Sequence, residues 1–242
     1  MNNTIKELLE RKSTRVFEEK EISKEDKNLI ITASCNAPTA GNMQLYTILD
    51  ITDEELKKKL SVTCDNQPFI NEAKMVLIYL ADYRKWHEAY KYVGEPRDLG
   101  LGDAHLAMAD ACIAAQNAVV AAHSLGIGSC YIGDIVEQYG TVKDMLKLPD
   151  YVFPACMLVF GYPVAQQLDR NKPERVNNKY IVMENTYHDF TYDDYKDMWA
   201  KHTGGHIEFD EYLRRQMNRK FNSDFSKEMQ RSTAMYFKDY MK

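Results

Sequence analysis

Apolar positions along the chain alternate between two spacings. Ile5, Leu8 and Leu9 stand at helical intervals within residues 4–11, and Ser23, followed by Glu25 and Asp26, opens a second helix that runs to about Asn36. After the loop APTAGN at 37–42, short β-branched and apolar runs of strand length appear at 45–51, 75–81, 130–135 and 155–161. Helical stretches are predicted near 54–60 and 142–146, with one long helix over 103–124. Nine alanines among its residues, with Leu106, Met108, Ile113, Val119 and Val120, leave that helix apolar or small on nearly every face. Such a helix is expected to be buried all round, centrally or against a second subunit. Gly126 supplies its stop. Further helices are predicted at 194–201 and about 210–240, as an arm across a partner subunit or a tail packed on the surface. Strands and helices in this order predict an α/β or α+β sandwich. Without repeats or a low-complexity linker, one domain covers 1–242: a core to about 185 and a helical extension over 186–242.

The chain has 242 residues, 45% of them hydrophobic, which is enough for a sizeable core. Its 31 Lys+Arg against 36 Asp+Glu give a formal charge of -5, so no general attraction to nucleic acid or anionic lipid is expected. An anionic ligand therefore needs a local cluster of cations. The charged start MNNTIKELLERK is no signal peptide, and the apolar stretch 111–128 is interrupted by Gln116, Asn117 and His123, so no membrane span is expected. A soluble, cytoplasmic protein is the expectation. Five cysteines, odd in number and without a C-x-x-C pair, read as reduced and mostly buried.

Several segments carry polar chemistry. Arg11, Lys12, Ser13 and Arg15 concentrate three cations and a hydroxyl that suit a phosphate, or else form a solvated helix end. Ala37 to Gln44 joins small residues to Thr39, Asn42 and Gln44, either to let backbone approach a flat ligand or as a plain turn. The glycines of GIGSCYIGDI (126–135) fit neither a dinucleotide fingerprint nor a P-loop. Arg170, Lys172 and Arg175 form a second cationic group that can converge with the first on one anion. His202 and His206 have metal-ligand spacing, but Gly204 and Gly205 between them oppose a helix and no third ligand is evident, so no metal is expected. No nucleophile elbow supports serine hydrolysis.

Taken in order, RKSTRVF (11–17), PTAGNMQ (38–44), Gln67 in DNQPFI, DACIAAQNAVVAAHSLGIGSCYIGDI (110–135), LPDYVFPACMLVFGYP (148–163) and KPERV (172–176) resemble the flavin-dependent nitroreductase family. Length and extension look most like its larger subgroup of NADPH-dependent nitroreductases and flavin reductases. The resemblance implies an α+β three-layer sandwich with a mixed, mainly antiparallel sheet around the Ala-rich helix. It also implies an intertwined homodimer with FMN bound noncovalently at the subunit interface. Arg11, Ser13, Lys172 and Arg175 would hold the FMN phosphate, with Lys12 lining the same pocket. Arg15 would sit near N1 and the C2 carbonyl, where a cation stabilises the reduced ring. Pro38, Thr39, Asn42 and Gln67 would meet ring edge or ribityl, and Tyr131, Ile132, Gly133 and Asp134 would run along the ring, a backbone N–H near Gly133 facing N5.

This chain has Gly133-Asp134 where the subgroup often has two glycines, so a carboxylate stands near the flavin, and Glu174 is inserted between Pro173 and Arg175. Lys201, His202, Arg214 and Arg215 are the candidates for the 2′-phosphate of NADPH, with NADH allowed. The implied activity is ping-pong transfer of hydride from NAD(P)H to FMN and then to nitroaromatic, quinone, azo or flavin acceptors, the cofactor carrying the chemistry. The alternatives are a flavin-binding carrier or redox sensor without useful turnover, and a structural domain whose cations are merely solvated.

Overall fold

The computed structural model describes residues 1–203 and 206–241. They separate into two compact units, one formed by 1–172 with 229–242 and the other by 173–228. The first unit is built on strands β1 (Tyr46–Asp50), β2 (Met75–Asp82), β3 (Gly128–Ile132) and β4 (Val152–Gly161), in the order β1-β2-β4-β3 with every pair antiparallel. The central strands β2 and β4 read as continuous apolar runs because both of their faces are covered. Val76, Ile78, Leu80, Met157 and Val159 enter one core; Leu77, Tyr79, Cys156, Leu158 and Phe160 enter the other. Pro154 in β4 has no N–H to give the ladder, and the register shifts beside it, between Tyr79 and Leu80.

Helices α1 (Asn3–Glu10) and α2 (Lys24–Cys35) precede β1; α3 (Glu54–Thr63), α4 (Pro68–Glu72), α5 (Arg84–Tyr90), α6 (Leu101–Ser124), α7 (Tyr139–Met145) and α8 (Ala165–Asp169) follow around the other strands. The predicted Ser23 cap is present, its Oγ accepting from Asp26 N at 3.0 Å. Sequence periodicity placed α1, α2, α3, α6 and α7; the short α4, α5 and α8 were not foreseen. Alanines let α2 approach α6 closely enough for Ser34 Oγ, on α2, to donate to Ala114 O at 2.8 Å. Gly126 ends α6 with φ of 74°, a left-handed turn that glycine takes without steric cost.

The central placement expected for α6 holds only in part: seven of its nine alanines and Val119 are buried, but Leu106, Met108 and Ile113 are exposed, so within one chain it is not buried all round. It is also the one helix among the described residues long and apolar enough to cross a membrane. Here it lies in the core, with Asp103 and Asp110 buried and hydrogen-bonded. Arg97 grips Asp103 through two hydrogen bonds of 2.7 and 2.8 Å, and Gly100 N adds a third at the helix start.

The tail differs from a single helix over 210–240. Helix α9 (Tyr192–Met198) is followed by α10 (Phe209–Gln216), a π turn at Met217–Phe221 and α11 (Asp224–Phe237). The break falls at Asn222 and Ser223, where Ser223 Oγ accepts from Ser226 N instead of allowing the helix to continue. The last residues are not an arm. Tyr236 and Tyr240 are buried in the first unit, edge-on to Tyr139 and Tyr151, and the Tyr240 hydroxyl donates to Tyr151 O at 2.5 Å. Gly204 and Gly205, between the two histidines, lie outside the described residues.

Candidate functional site

The segment after α1 is threaded across the ends of β3 and β4. Ser13 bridges Ser129 in parallel, Thr14 N donates to Ser129 O at 2.9 Å, and Phe17 bridges Pro163. Two glycines make the approach possible: a Cβ on Gly128 would lie 2.7 Å from Thr14 Cβ, and one on Gly161 would lie 2.6 Å from the Phe17 ring. Between the inward Thr14 and Phe17, Arg15 and Val16 are exposed.

The stretch following β4 is laced to this segment by cations. Lys12 Nζ donates to Leu168 O at 2.6 Å and to Arg170 O; Arg170 Nη2 donates to Ser13 O and Lys172 Nζ to Leu9 O, both at 2.6 Å. Arg15 N donates to Gln167 Oε1. The two cationic groups do meet, therefore, for Arg11, Lys12, Ser13, Arg15, Arg170 and Lys172. Arg175 belongs to the second unit. Lys12 and Arg170 spend hydrogen bonds on carbonyls and so hold the segments together, whereas Arg11 Nη1 is buried without a hydrogen-bond partner. A guanidinium nitrogen left so is costly unless an acceptor arrives. Beside it opens a cavity of about 100 Å³ lined by Arg11, Lys12, Thr14, Ser129, Gln167 and, from the last turn of α6, His123. Burial holds the His123 imidazole below its usual pKa. Neither His123 nor Gln167 was visible in the sequence as a site residue, since only the return of two distant segments brings them here.

From Arg15 the polar strip continues. Its guanidinium lies over the Phe69 ring of α4, 5.9 Å from the centroid. Gln67, at the start of α4, donates through Nε2 to Cys64 O at 2.8 Å and to Asp134 Oδ2 at 3.1 Å. Both partners are acceptors, which fixes the nitrogen inward and presents Oε1 as an acceptor for a ligand donor. Burial, with the charges of Asp134 and Glu137, pushes the Cys64 thiol up to about 12 and keeps it inert. Asp134 follows Gly133 at the end of β3. Ile132 is buried in the core and offers only backbone, while Tyr131 is exposed, its hydroxyl donating to Gln116 of α6 at 3.3 Å.

The loop 38–45 is fastened from within. Asp110 on α6 accepts from the Thr39 hydroxyl, from Ala40 N at 3.0 Å and from Leu45 N at 3.1 Å. Thr39 Oγ1 in turn accepts from Gln44 N at 2.7 Å, so this hydroxyl points inward. Trp86 of α5 donates to Met43 O at 2.7 Å. Gly41, Asn42 and Gln44 all take positive φ, of 56°, 58° and 49°. Asparagine tolerates that region better than most residues, and the cost at Gln44 is met by the surrounding bonds. Pro38 and Asn42 are exposed on the loop surface. Asp110 is the residue the sequence reading missed: an acid in the middle of an alanine-rich helix, well past the first turn where Asp103 caps it, is the signal that could have found it. In the second unit Lys201 pairs with Glu174 at 3.4 Å, and Arg214 and Arg215 pair with Asp210 and Glu211 on their own helix.

Residues 8–162 match the model of the nitroreductase family. An FMN reductase (NADPH) of Bacillus subtilis (strain 168) is 31% identical, covering 100% of this chain and 97% of that protein. An FMN reductase [NAD(P)H] of the same organism is 30% identical over 98% of this chain and 92% of its own length. The solved structure of NfrA1 from B. megaterium superposes with a TM-score of 0.85 at 25% identity, covering 99% of both chains.

Proposed function

Since the chain belongs to the nitroreductase family, we propose that it is an FMN-dependent oxidoreductase that takes hydride from NADPH, or from NADH, and delivers it to small electron-poor acceptors. The observation that carries this reading is the cationic strip, in which a buried Arg11 Nη1 lacks the acceptor that an FMN phosphate would provide. The residues present fit the cofactor. Arg11, Ser13 and Lys172 would hold the phosphate, and Lys12 keeps the two backbone segments of the pocket together. Arg15 supplies positive charge at the N1 and C2 carbonyl edge. Gln67 Oε1, its orientation set by Asp134, would accept from a donor on the ring edge or the ribityl chain. Pro38, Thr39 and Asn42 present the loop backbone and one amide, and Tyr131 to Asp134 form the remaining edge. Bound FMN supplies the two-electron relay, and the protein supplies no nucleophile.

Nitroaromatics, quinones, azo compounds and free flavin are the acceptor classes, used by a ping-pong scheme that predicts parallel double-reciprocal lines for nicotinamide and acceptor. The exposed Leu106 and Ile113, two turns apart on one side of α6, support pairing with a second copy across this helix. The experiment is to load the protein with FMN, remove the excess and titrate anaerobically with NADPH. A retained flavin band that bleaches at about one reductant per FMN is expected. A retained band that neither NADPH nor NADH bleaches would replace this reading with a carrier or sensor. Failure to retain flavin would end it.

A further inference from the structure

The cavity of about 100 Å³ beside Arg11 is bordered by Gln167, on α8, and by His123, in the last turn of α6. Its volume holds about three waters, or one compact oxyanion. Arg11 Nη1 is buried there without a hydrogen-bond partner. Gln167, only 9% exposed, accepts from Arg15 N through Oε1 at 3.3 Å, and its Nε2 makes no hydrogen bond among the described residues. With the oxygen taken, the two N–H donors of Nε2 are what Gln167 has to offer the cavity. His123 borders, again with Arg11, the crevice between α1 and α6 as well. The charged groups around its ring are Glu7 and Glu10 on α1, Arg11 and Lys12 on the segment after it, and Lys172 beyond α8. Burial tips the imidazole toward its neutral form, below the usual histidine pKa.

We propose that Gln167 and His123 bind the phosphate of FMN, Gln167 through Nε2 and His123 through a proton that it takes up as the phosphate enters, so that together they set the preference for FMN over riboflavin. This rests on the reading of the strip as an FMN site. Without a ligand, a protonated ring beside Arg11, Lys12 and Lys172 faces both like charge and burial, with Glu7 and Glu10 in opposition. A phosphate monoester brings up to two negative charges into the cavity and reverses that balance. The free protein therefore holds His123 neutral near pH 7, and the complex holds it charged. Because the proton is gained on binding, the contribution of His123 to FMN affinity rises as pH falls through the pKa of the complex. It levels off below the pKa of the free protein, which lies under the ordinary histidine value. Riboflavin has the same ring and ribityl chain but no phosphate, so its binding lacks this dependence.

The test titrates the full chain with FMN and with riboflavin from about pH 6 to about pH 8, following flavin fluorescence, and measures proton uptake by calorimetry in buffers of unlike ionisation enthalpy. Wild type is expected to take up roughly 0.5–1 proton per FMN at about pH 7 and none per riboflavin. His123→Gln should lose that uptake. The ratio of wild-type to variant FMN affinity should climb roughly tenfold from about pH 8 to about pH 6; the phosphate's own titration, common to both proteins, cancels in this ratio. Gln167→Glu keeps an acceptor for Arg15 N but sets a carboxylate against the phosphate, and should weaken FMN roughly a hundredfold while riboflavin affinity holds. Parallel pH profiles for wild type and His123→Gln would overturn the proposal, as would a loss of riboflavin as large as the loss of FMN in either variant. Both results leave wild-type FMN binding in place. A chain that binds neither flavin overturns the proposal together with the FMN reading, so the two failures are told apart.

Discussion

The loop at 38–45 and the strip running from Arg11 to Asp134 are both polar, yet their hydrogen bonding is arranged in opposite ways. Around the loop, each Asp110 oxygen has protein donors, and the Thr39 hydroxyl both donates and accepts within the fold. Along the strip, Arg11 Nη1 is buried without a partner, and the Gln67 amide is fixed so that its oxygen faces outward. A closed network stabilises the fold; an open one spends some stability to keep groups aimed at a ligand. The distinction separates scaffold from binding surface without reference to which residues are charged.

Substitutions can break that contrast. Asp110→Ala leaves three donors in the loop unsatisfied and is expected to cost about 3–5 kcal/mol, measured as a fall in urea midpoint. An effect under about 1 kcal/mol would mean that the loop is not fastened from α6. Arg11→Ala should do the reverse, with FMN affinity falling roughly 10–100-fold, the loss of a charge-assisted hydrogen bond, while the urea midpoint holds. If stability falls instead and affinity holds, Arg11 belongs to the scaffold. Gly161→Ala places a methyl against the Phe17 ring and is expected to cost about 1–3 kcal/mol by overpacking, loosening the seat of the strip.

Two smaller effects sharpen the comparison. Asp134→Asn keeps an acceptor for Gln67 but removes the charge, so it is expected to favour reduced over oxidised FMN by roughly tenfold, about 30 mV for a two-electron couple. Spectroelectrochemistry on the variant that leaves the potential unmoved would detach Asp134 from the flavin. At the start of α6, the hydrogen-bonded Arg97 holds the Asp103 carboxyl below its usual range, against the effect of burial. The unfolded chain then binds its proton at higher pH than the folded one, so this stabilisation is complete above the ordinary aspartate range and is lost as pH falls through it and below. Arg97→Ala should accordingly lower the urea midpoint at pH 7 and flatten the acid limb, the two proteins converging in strong acid.

Much of the fold was legible. Continuous apolar runs marked β2 and β4, the Ser23 cap marked α2, and the alanine content marked α6 as a central or subunit-facing helix. The tail was misread because helical periodicity persists through Asn222 and Ser223, whose local turn chemistry wins over it. Arg11, Ser13 and Lys172 could be named from two cationic segments, but Gln167 and His123 could not, since nothing in their own neighbourhoods is unusual.

By itself, then, the sequence determined the elements and the types of group available, because spacing, capping and turn preference act over a few residues. Only the tertiary structure decided which groups are spent and which are spare. Whether Thr39 faces inward and which side of the Gln67 amide is free both depend on contacts between distant segments. Those contacts exist only once the loop-closure entropy that separates the segments has been overcome by burial of the core between them.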